Sequence, residues 1–273
     1  MIRHHLFARL NKIWLWIFDQ FILYPLMSWI APTLGVHFMN LGYWPNDLDD
    51  TPIQLFMEEN CDMIRQECDK PHLFLYEKLL SLHPAYPDFE NLSILEVSCG
   101  QGYGIDWIDR TRFVSIIGCD KIKCPPPWIT YGDAHDLPFE SSSMDMILNV
   151  EASHLYANFE QFLNECHRVL KPDGFLCWTD LRFADQIDAT IRSFTDAGFH
   201  CNAWQDITNE VIQGIHKTSQ FYDEILDKSP FIVKMFRSSL RATYCAPGTA
   251  TYNNFAEKRK LYTAAVFKKE LKY

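Results

Sequence analysis

From about residue 90 onward, short apolar runs alternate with stretches of helical spacing. Runs at 93–98, 114–120, 128–131, 145–150 and 174–180 are short, apolar and bounded by turn residues, so they read as buried strands. Apolar positions at 159–170 recur with helical spacing, and Lys171-Pro172-Asp173-Gly174 closes that helix as a turn. A second helix at 187–197 ends at Gly198. Strands that alternate with helices predict a parallel sheet with crossover helices. Two further runs, 199–205 and 261–268, read as closing strands and bring the expected sheet to seven. Residues 73–82 form a helix ahead of the first strand. Between the closing strands, 209–240 is largely helical, an insertion long enough to form a lid.

The first thirty residues stand apart. The run 13–31 is apolar and carries Trp14, Trp16, Phe18, Phe21 and Trp29. A membrane-spanning helix needs about twenty apolar residues, but Asp19, Gln20 and Pro25 interrupt this one, and a charge at mid-membrane is costly. No clear small-residue cleavage site marks a signal peptide. The run reads as an aromatic-rich helix that covers a pocket, lies on a membrane surface or packs on the domain core. Residues 45–52 are acidic and turn-rich and read as a linker. The expected organisation is an apolar helical segment at 1–45 and a single domain at 46–273, with its helical insertion at about 207–250.

Composition narrows the function. With a formal net charge of -10, a surface that tracks nucleic-acid phosphates is disfavoured. The nine cysteines are odd in number, scattered and without a CxxC pair, so a reducing, cytoplasmic setting is expected and no metal site.

The sharpest motif is Leu95-Glu96-Val97-Ser98-Cys99-Gly100-Gln101-Gly102-Tyr103-Gly104. A strand runs into a glycine-rich turn, where backbone N–H groups can approach a ligand and the following helix start favours an anionic group. Such a turn alone also suits nicotinamide cofactors. Asp120 ends the second strand about twenty residues later, where a carboxylate can accept two ribose hydroxyls. Gly132-Asp133-Ala134-His135 follows the third strand, with Asp133 a candidate acceptor for an adenine amino group and Ala134 beside the ring. Asn149, on the fourth strand, points toward the same cleft.

This pattern resembles the class I S-adenosylmethionine-dependent methyltransferases of the methyltransferase-11 type. Among these it is most similar to the phthiotriol/phenolphthiotriol dimycocerosates methyltransferases, which O-methylate a hydroxyl on a long-chain lipid. The resemblance rests on Tyr24-Pro25-Leu26-Met27, on the run from Leu95 to Gly100, on Leu148-Asn149-Val150-Glu151-Ala152-Ser153-His154, on Asp180-Leu181-Arg182 and on residues 211–220. It implies a Rossmann-like α/β fold with N-terminal helices and a helical cap. It also implies S-adenosylmethionine as cofactor, held by Glu96, Ser98, Gly100, Gly102, Asp120, Lys121, Asp133, Ala134 and Asn149. One departure stands out. Pro125, Pro126 and Pro127 follow Asp120 closely, and three prolines cannot form a helix interior, so the usual crossover helix between the second and third strands shortens to a loop.

A neutral hydroxyl acceptor needs a base. His154 lies just past the fourth strand and is the candidate, histidine being the residue type suited to proton exchange near neutral pH. Glu151, three residues earlier, can face it across a helical turn and orient the imidazole, or act as the base itself. The acceptor pocket is expected from the N-terminal helix and the insertion, both rich in aromatic and aliphatic residues. His216 and Gln220 reach either substrate or solvent. The expected partner is a hydrophobic small molecule or lipid, with peripheral membrane contact through the N-terminal helix. The alternatives are N- or C-methylation, a non-catalytic or membrane-associated protein that keeps the fold, and a nicotinamide-dependent oxidoreductase. The last lacks a Tyr-x-x-x-Lys pair at a plausible site.

Overall fold

Seven strands form one sheet in the order β3-β2-β1-β4-β5-β7-β6. A computed structural model describes residues 35–45, 51–122 and 125–270. The expected helix at 13–31 lies outside the described residues. The strands are β1 (Ser93–Val97), β2 (Ser115–Asp120), β3 (Ile129–Tyr131), β4 (Met144–Val150), β5 (Leu170–Phe183), β6 (Phe199–Asp206) and β7 (Lys260–Lys269). The first five pair in parallel, and β7 runs antiparallel between β5 and β6. Chain order reverses between β1 and β4, so the carboxyl ends of these two strands open a crevice at the switch point, where open α/β sheets bind ligands.

The buried side chains alternate between the two faces of the sheet, as the period of two requires. Ile94, Met146, Leu148, Cys177, Ala264 and Val266 join one core cluster. Leu95, Val97, Ile147, Leu176, Trp178, Ala265 and Phe267 join the other. The second face is covered by α4 (Phe159–Val169) and α5 (Ile187–Asp196). The first is covered by α2 (Lys70–Ser81), α3 (Tyr103–Arg112) and α6 (Thr208–Lys228); α1 (Thr51–Glu59) packs on α2. The insertion is helical as expected: α6 is followed by α7 (Phe231–Lys234), α8 (Arg237–Thr243) and α9 (Ala250–Ala256). The expected turn at Lys171–Gly174 lies inside β5 as a bulge. Pairing with β4 shifts register there, and Asp173 takes a left-handed φ of 63°.

The body begins at Phe38, earlier than the boundary drawn from the acidic linker, because 38–45 is a strap sewn into the domain. Tyr43 N donates to the Pro71 carbonyl at 2.7 Å and Trp44 N to the Glu210 carbonyl at 3.0 Å. Phe38, Leu41 and Tyr43 are buried. The strap crosses α6 at Gly214, where a Cβ would stand 2.6 Å from the Gly42 carbonyl carbon. Backbone meets backbone at this crossing, so a side chain at 214 would have no space.

Helix α2 carries two consecutive buried groups toward the site layer. Tyr76 reaches β1, and Glu77 meets Arg112 of α3 at 2.5 Å with both side chains out of solvent. The Trp107 indole also donates to Glu77 at 2.6 Å, and the guanidinium lies 4.2 Å above the Phe56 ring. A buried ion pair adds little against an apolar replacement, but breaking it leaves an uncompensated charge. Glu77→Ala is therefore expected to cost about 3–5 kcal/mol in urea unfolding. The double substitution Glu77→Leu with Arg112→Met should cost clearly less. An equal loss in both would mean that packing, not the orphaned cation, sets the cost.

Candidate active site

The glycine turn is built so that a tyrosine can reach β1 past it. Gly104 lies against the Tyr76 ring, and a Cβ there would sit 2.2 Å from it. Tyr76 uses that space to donate its hydroxyl to Glu96 Oε1 at 2.6 Å. Glu96 is buried, and its other oxygen has no hydrogen-bond partner among the described residues. Burial pushes its carboxyl up to about 8, against the lowering effect of the Tyr76 hydroxyl. A carboxyl in this state is short of one cation or donor.

Ser98, Gly100 and Gly102 all take left-handed backbone, with φ of 60°, 57° and 79°. Among the described residues the nearest atom to a Cβ built on Gly100 is Met39 Cε at 3.8 Å, and none of them crowds the turn on that side. Gly100 N donates to Asp120 Oδ2 at 2.8 Å, and Ile122 N donates to Oδ1 at 3.1 Å. The second-strand aspartate is thus locked to the glycine turn, with lone pairs remaining on both oxygens. Burial pushes its pKa above the ordinary carboxylate value, opposed by these amides. Ser98 Oγ and Asn149 Nδ2 both meet the Tyr156 hydroxyl, at 2.7 and 2.9 Å. Asn149 Nδ2 also donates to the Val97 carbonyl at 3.0 Å, and its Oδ1 is buried without a partner among the described residues.

No helix joins β2 to β3 among the described residues, in line with the proline run. The loop that replaces it brings Ile129 and the Trp128 indole nitrogen to 3.0 and 3.1 Å from where a Cβ on Gly102 would be. This second glycine is required by sterics on one side and by its φ on the other.

Glu96, Ser98, Gly100, Gly102, Asp120 and Asn149 converge at the carboxyl edge of β1, β2 and β4. The third-strand loop is arranged differently from expectation. Asp133 Oδ1 accepts from the His135 amide and ring nitrogen at 2.9 and 2.7 Å, and Oδ2 pairs with Lys121 Nζ at 2.9 Å. Burial raises this carboxyl, but the His135 amide and ring and the Lys121 ammonium outweigh it and lower it to about 2. The Ala134 side chain is buried in the core cluster on the second face. Lys121 and Asp133 therefore serve each other first.

His154 sits in a short 3-10 turn, Ser153–Leu155, after β4. Its Nδ1 meets Asp180 Oδ1 at 2.7 Å and its backbone N donates to Oδ2 at 2.8 Å. Asp180, at the carboxyl end of the parallel part of β5, is completely buried. It also accepts from Ser153 Oγ at 2.6 Å and Leu181 N at 2.8 Å, and pairs with Arg182 at 3.1 Å. Burial would raise this carboxyl, but His154, Arg182 and Ser153 hold it well below the usual carboxylate range. With a carboxylate at Nδ1, the proton belongs there and Nε2 carries the lone pair. Nε2 has no hydrogen-bond partner among the described residues.

Glu151 does not orient this ring. Its Oε2 accepts from the strap amide of Leu41 at 2.6 Å and from the Tyr262 hydroxyl at 2.5 Å. Its φ of 49° turns the chain away from a regular helical turn, so spacing of three does not bring Glu151 against the imidazole. Burial pushes its carboxyl up to about 7, moderated by Tyr262, His154 and Leu41 N. The orienting residue missed by the motif reading is Asp180. The signal for it was present: an aspartate at the end of a buried strand, next to Arg182. Tyr76 was missed as well, and nothing in its own helix marks it. Of the lid residues, His216 bonds the Tyr252 hydroxyl at 2.9 Å and Gln220 bonds Glu224 at 3.2 Å on an exposed face.

An adenosyl-sulfonium cofactor fits these residues. The unpartnered buried oxygen of Glu96 suits an ammonium. The open turn at Gly100 leaves room for a main-chain approach, and Asp120 retains acceptor capacity for ribose hydroxyls.

Comparison with known proteins agrees. The family described as "Methyltransferase domain" matches residues 95–178. Phthiotriol/phenolphthiotriol dimycocerosates methyltransferase 1 of Mycobacterium ulcerans (strain Agy99) is 31% identical over 238 residues, covering 83% of each chain. Fatty-acid O-methyltransferase of Mycolicibacterium smegmatis is 31% identical over 205 residues, covering 71% of this chain and 70% of the relative. Among solved structures, the [4+2]-cyclase SpnF superposes with a TM-score of 0.66 at 18% identity, over 92% of this chain and 94% of that one, a likeness of fold.

Two measurements follow. Asp120→Ala should weaken S-adenosylmethionine binding by about a hundredfold or more in calorimetry, as expected for losing hydrogen bonds to a charged acceptor. At pH 7, Glu96 is largely protonated in the free protein, since burial has raised it to about 8. A bound ammonium favours the carboxylate, so binding should release up to roughly one proton, read from buffers of different ionisation enthalpy. Glu96→Gln should remove that release; persistence of it would place the titrating group elsewhere.

Proposed function

The chain belongs to the S-adenosylmethionine-dependent methyltransferases that include the phthiotriol/phenolphthiotriol dimycocerosates enzymes, and from that premise we propose that it methylates a hydroxyl oxygen on a hydrophobic, lipid-like acceptor, with His154 as the base. Family membership removes the nicotinamide oxidoreductase alternative. When bound, S-adenosylmethionine supplies a methyl group that is already electrophilic on its sulfonium. The chain's own task is to hold it and the acceptor in line, exclude water and take the acceptor's proton.

The carrying observation is the 2.7 Å contact between His154 Nδ1 and the buried Asp180 carboxylate. It fixes the ring and tautomer, and it favours the imidazolium that forms when Nε2 accepts a proton, the same division of labour as in a hydrolase triad. An acceptor alcohol hydrogen-bonded to Nε2 loses its proton to His154 as its oxygen takes the methyl group. Ser153 and Arg182 keep Asp180 charged through that change. N- or C-methylation needs no such base, so the oriented histidine supports an oxygen acceptor. A long-chain acceptor is supported by what the two relatives' names state, a dimycocerosates lipid and a fatty acid. It is also supported by the aromatic strap and insertion that surround this end of the sheet. Peripheral membrane contact through the N-terminal helix remains an expectation, since that helix lies outside the described residues.

The test is transfer of labelled methyl from S-adenosylmethionine to extracted lipids and long-chain hydroxyl compounds. His154→Ala should bind the cofactor as the wild type does and lower kcat by roughly a hundredfold or more, the usual weight of a general base. Asp180→Asn should lower kcat more than it changes KM and alter the pH–rate profile, because the amide leaves the imidazole in the wrong tautomer. Undiminished turnover in His154→Ala would refute the base assignment, and label found only on nitrogen or carbon would refute the oxygen acceptor.

A further inference from the structure

Just past the end of the long lid helix α6 the chain carries three large apolar side chains outward. Phe231 is 79% exposed, Met235 67% and Phe236 48%. Met235 N donates to the Phe231 carbonyl at 3.1 Å, one helical turn apart, so these two side chains share a face. Phe236 follows directly at the start of α8. Single exposed apolar residues are ordinary, but a contiguous group of large ones marks an interaction surface.

The charges around this knob favour one kind of partner. From Lys228 to Arg241 the sequence holds Lys228, Lys234, Arg237 and Arg241 and no acidic residue, in a chain of formal net charge -10. Lys234, within α7, is exposed and has no ion pair among the described residues. Among the described residues Lys228 pairs only with the exposed Glu224, at 3.9 Å. Arg237 and Arg241 are tied to Asp223 and Asp227 of α6, which fixes the base of the knob to the lid helix. Aromatic and thioether side chains flanked by long cationic ones are suited to the boundary of a bilayer. There the rings enter the acyl region and the ammonium groups stay at anionic headgroups. The other end of the same helix is buried on the body of the domain through Val211, Gly214 and Ile215.

We propose that the Phe231–Met235–Phe236 knob with Lys234 docks the lid onto an anionic lipid surface. The purpose assigned to this contact, access to a membrane-resident acceptor, rests on the lipid reading above. The contact itself does not.

Full-length protein mixed with unilamellar vesicles tests it, using phosphatidylcholine alone and phosphatidylcholine with phosphatidylglycerol, and reading the bound fraction by co-sedimentation. Binding is expected to the anionic vesicles and to weaken with added salt. Phe231→Ser with Met235→Ser should lower the partition coefficient about tenfold or more, given the burial value of such side chains. Lys234→Glu should lower it for anionic vesicles, while transfer to a detergent-dispersed acceptor stays at the wild-type rate in both variants. Equal vesicle binding by wild type and the double variant would overturn the proposal. So would a dimer that the double variant dissolves, without any vesicle binding. Vesicle binding that depends on the knob, together with failure to methylate any lipid, would keep the docking surface and reject the acceptor class.

Discussion

Buried carboxylate charge is the constraint around which the crevice is organised. Four acidic side chains, Glu96, Asp120, Glu151 and Asp180, stand at the carboxyl edge of the sheet in partly or wholly desolvated positions. Each must be met by donors, by a cation or by a proton. Asp180 receives donors from Ser153, His154 and Leu181 and the Arg182 charge, and it stays ionised. Glu96 receives one hydroxyl and is driven toward its neutral form. The two extremes mark different jobs. A fully satisfied carboxylate is a fixed part of the machinery, and an unsatisfied one is a vacancy for positive charge. A cofactor that brings both an ammonium and a sulfonium answers the second.

Close approaches of backbone make this charge pattern possible. Tyr76 can stand beneath the glycine turn only because residue 104 has no side chain, and the strap can cross α6 only because residue 214 has none. The strap in turn delivers the Leu41 amide to Glu151. Glu151 is therefore held by segments far apart in sequence, the 38–45 strap through Leu41 N and β7 through the Tyr262 hydroxyl.

The sheet was legible because parallel strands buried on both faces are apolar runs with sharp boundaries. All seven strands were anticipated, and the Lys171–Gly174 bulge was the one place where turn chemistry suggested a break that strand pairing bridges. The glycine turn and Asp120 were legible because each carries its own local signal: glycines at 100 and 102 suit a left-handed backbone, and a carboxylate ends the neighbouring strand. The partner of His154 was not legible in this way. Local spacing pointed to Glu151, three residues away, whereas the contact to Asp180 is made by pairing β4 with β5. Tyr76 was hidden for the same reason, since its partner Glu96 lies on another element. Asp133 shows the converse case. Its place after the third strand is legible locally, but its neighbours Lys121 and His135 are revealed only by the folded loop.

The shortened crossover changes the balance of the cofactor side rather than abolishing it. A helix between β2 and β3 would place its first turn beside Asp120. Here that carboxylate instead accepts from Ile122 N and Gly100 N, so its orientation comes from the loop and the glycine turn themselves. The same loop sets the half-exposed Trp128 ring beside Gly102. The proline run is thus compatible with an ordered Asp120, because backbone amides take over the orienting of the acid.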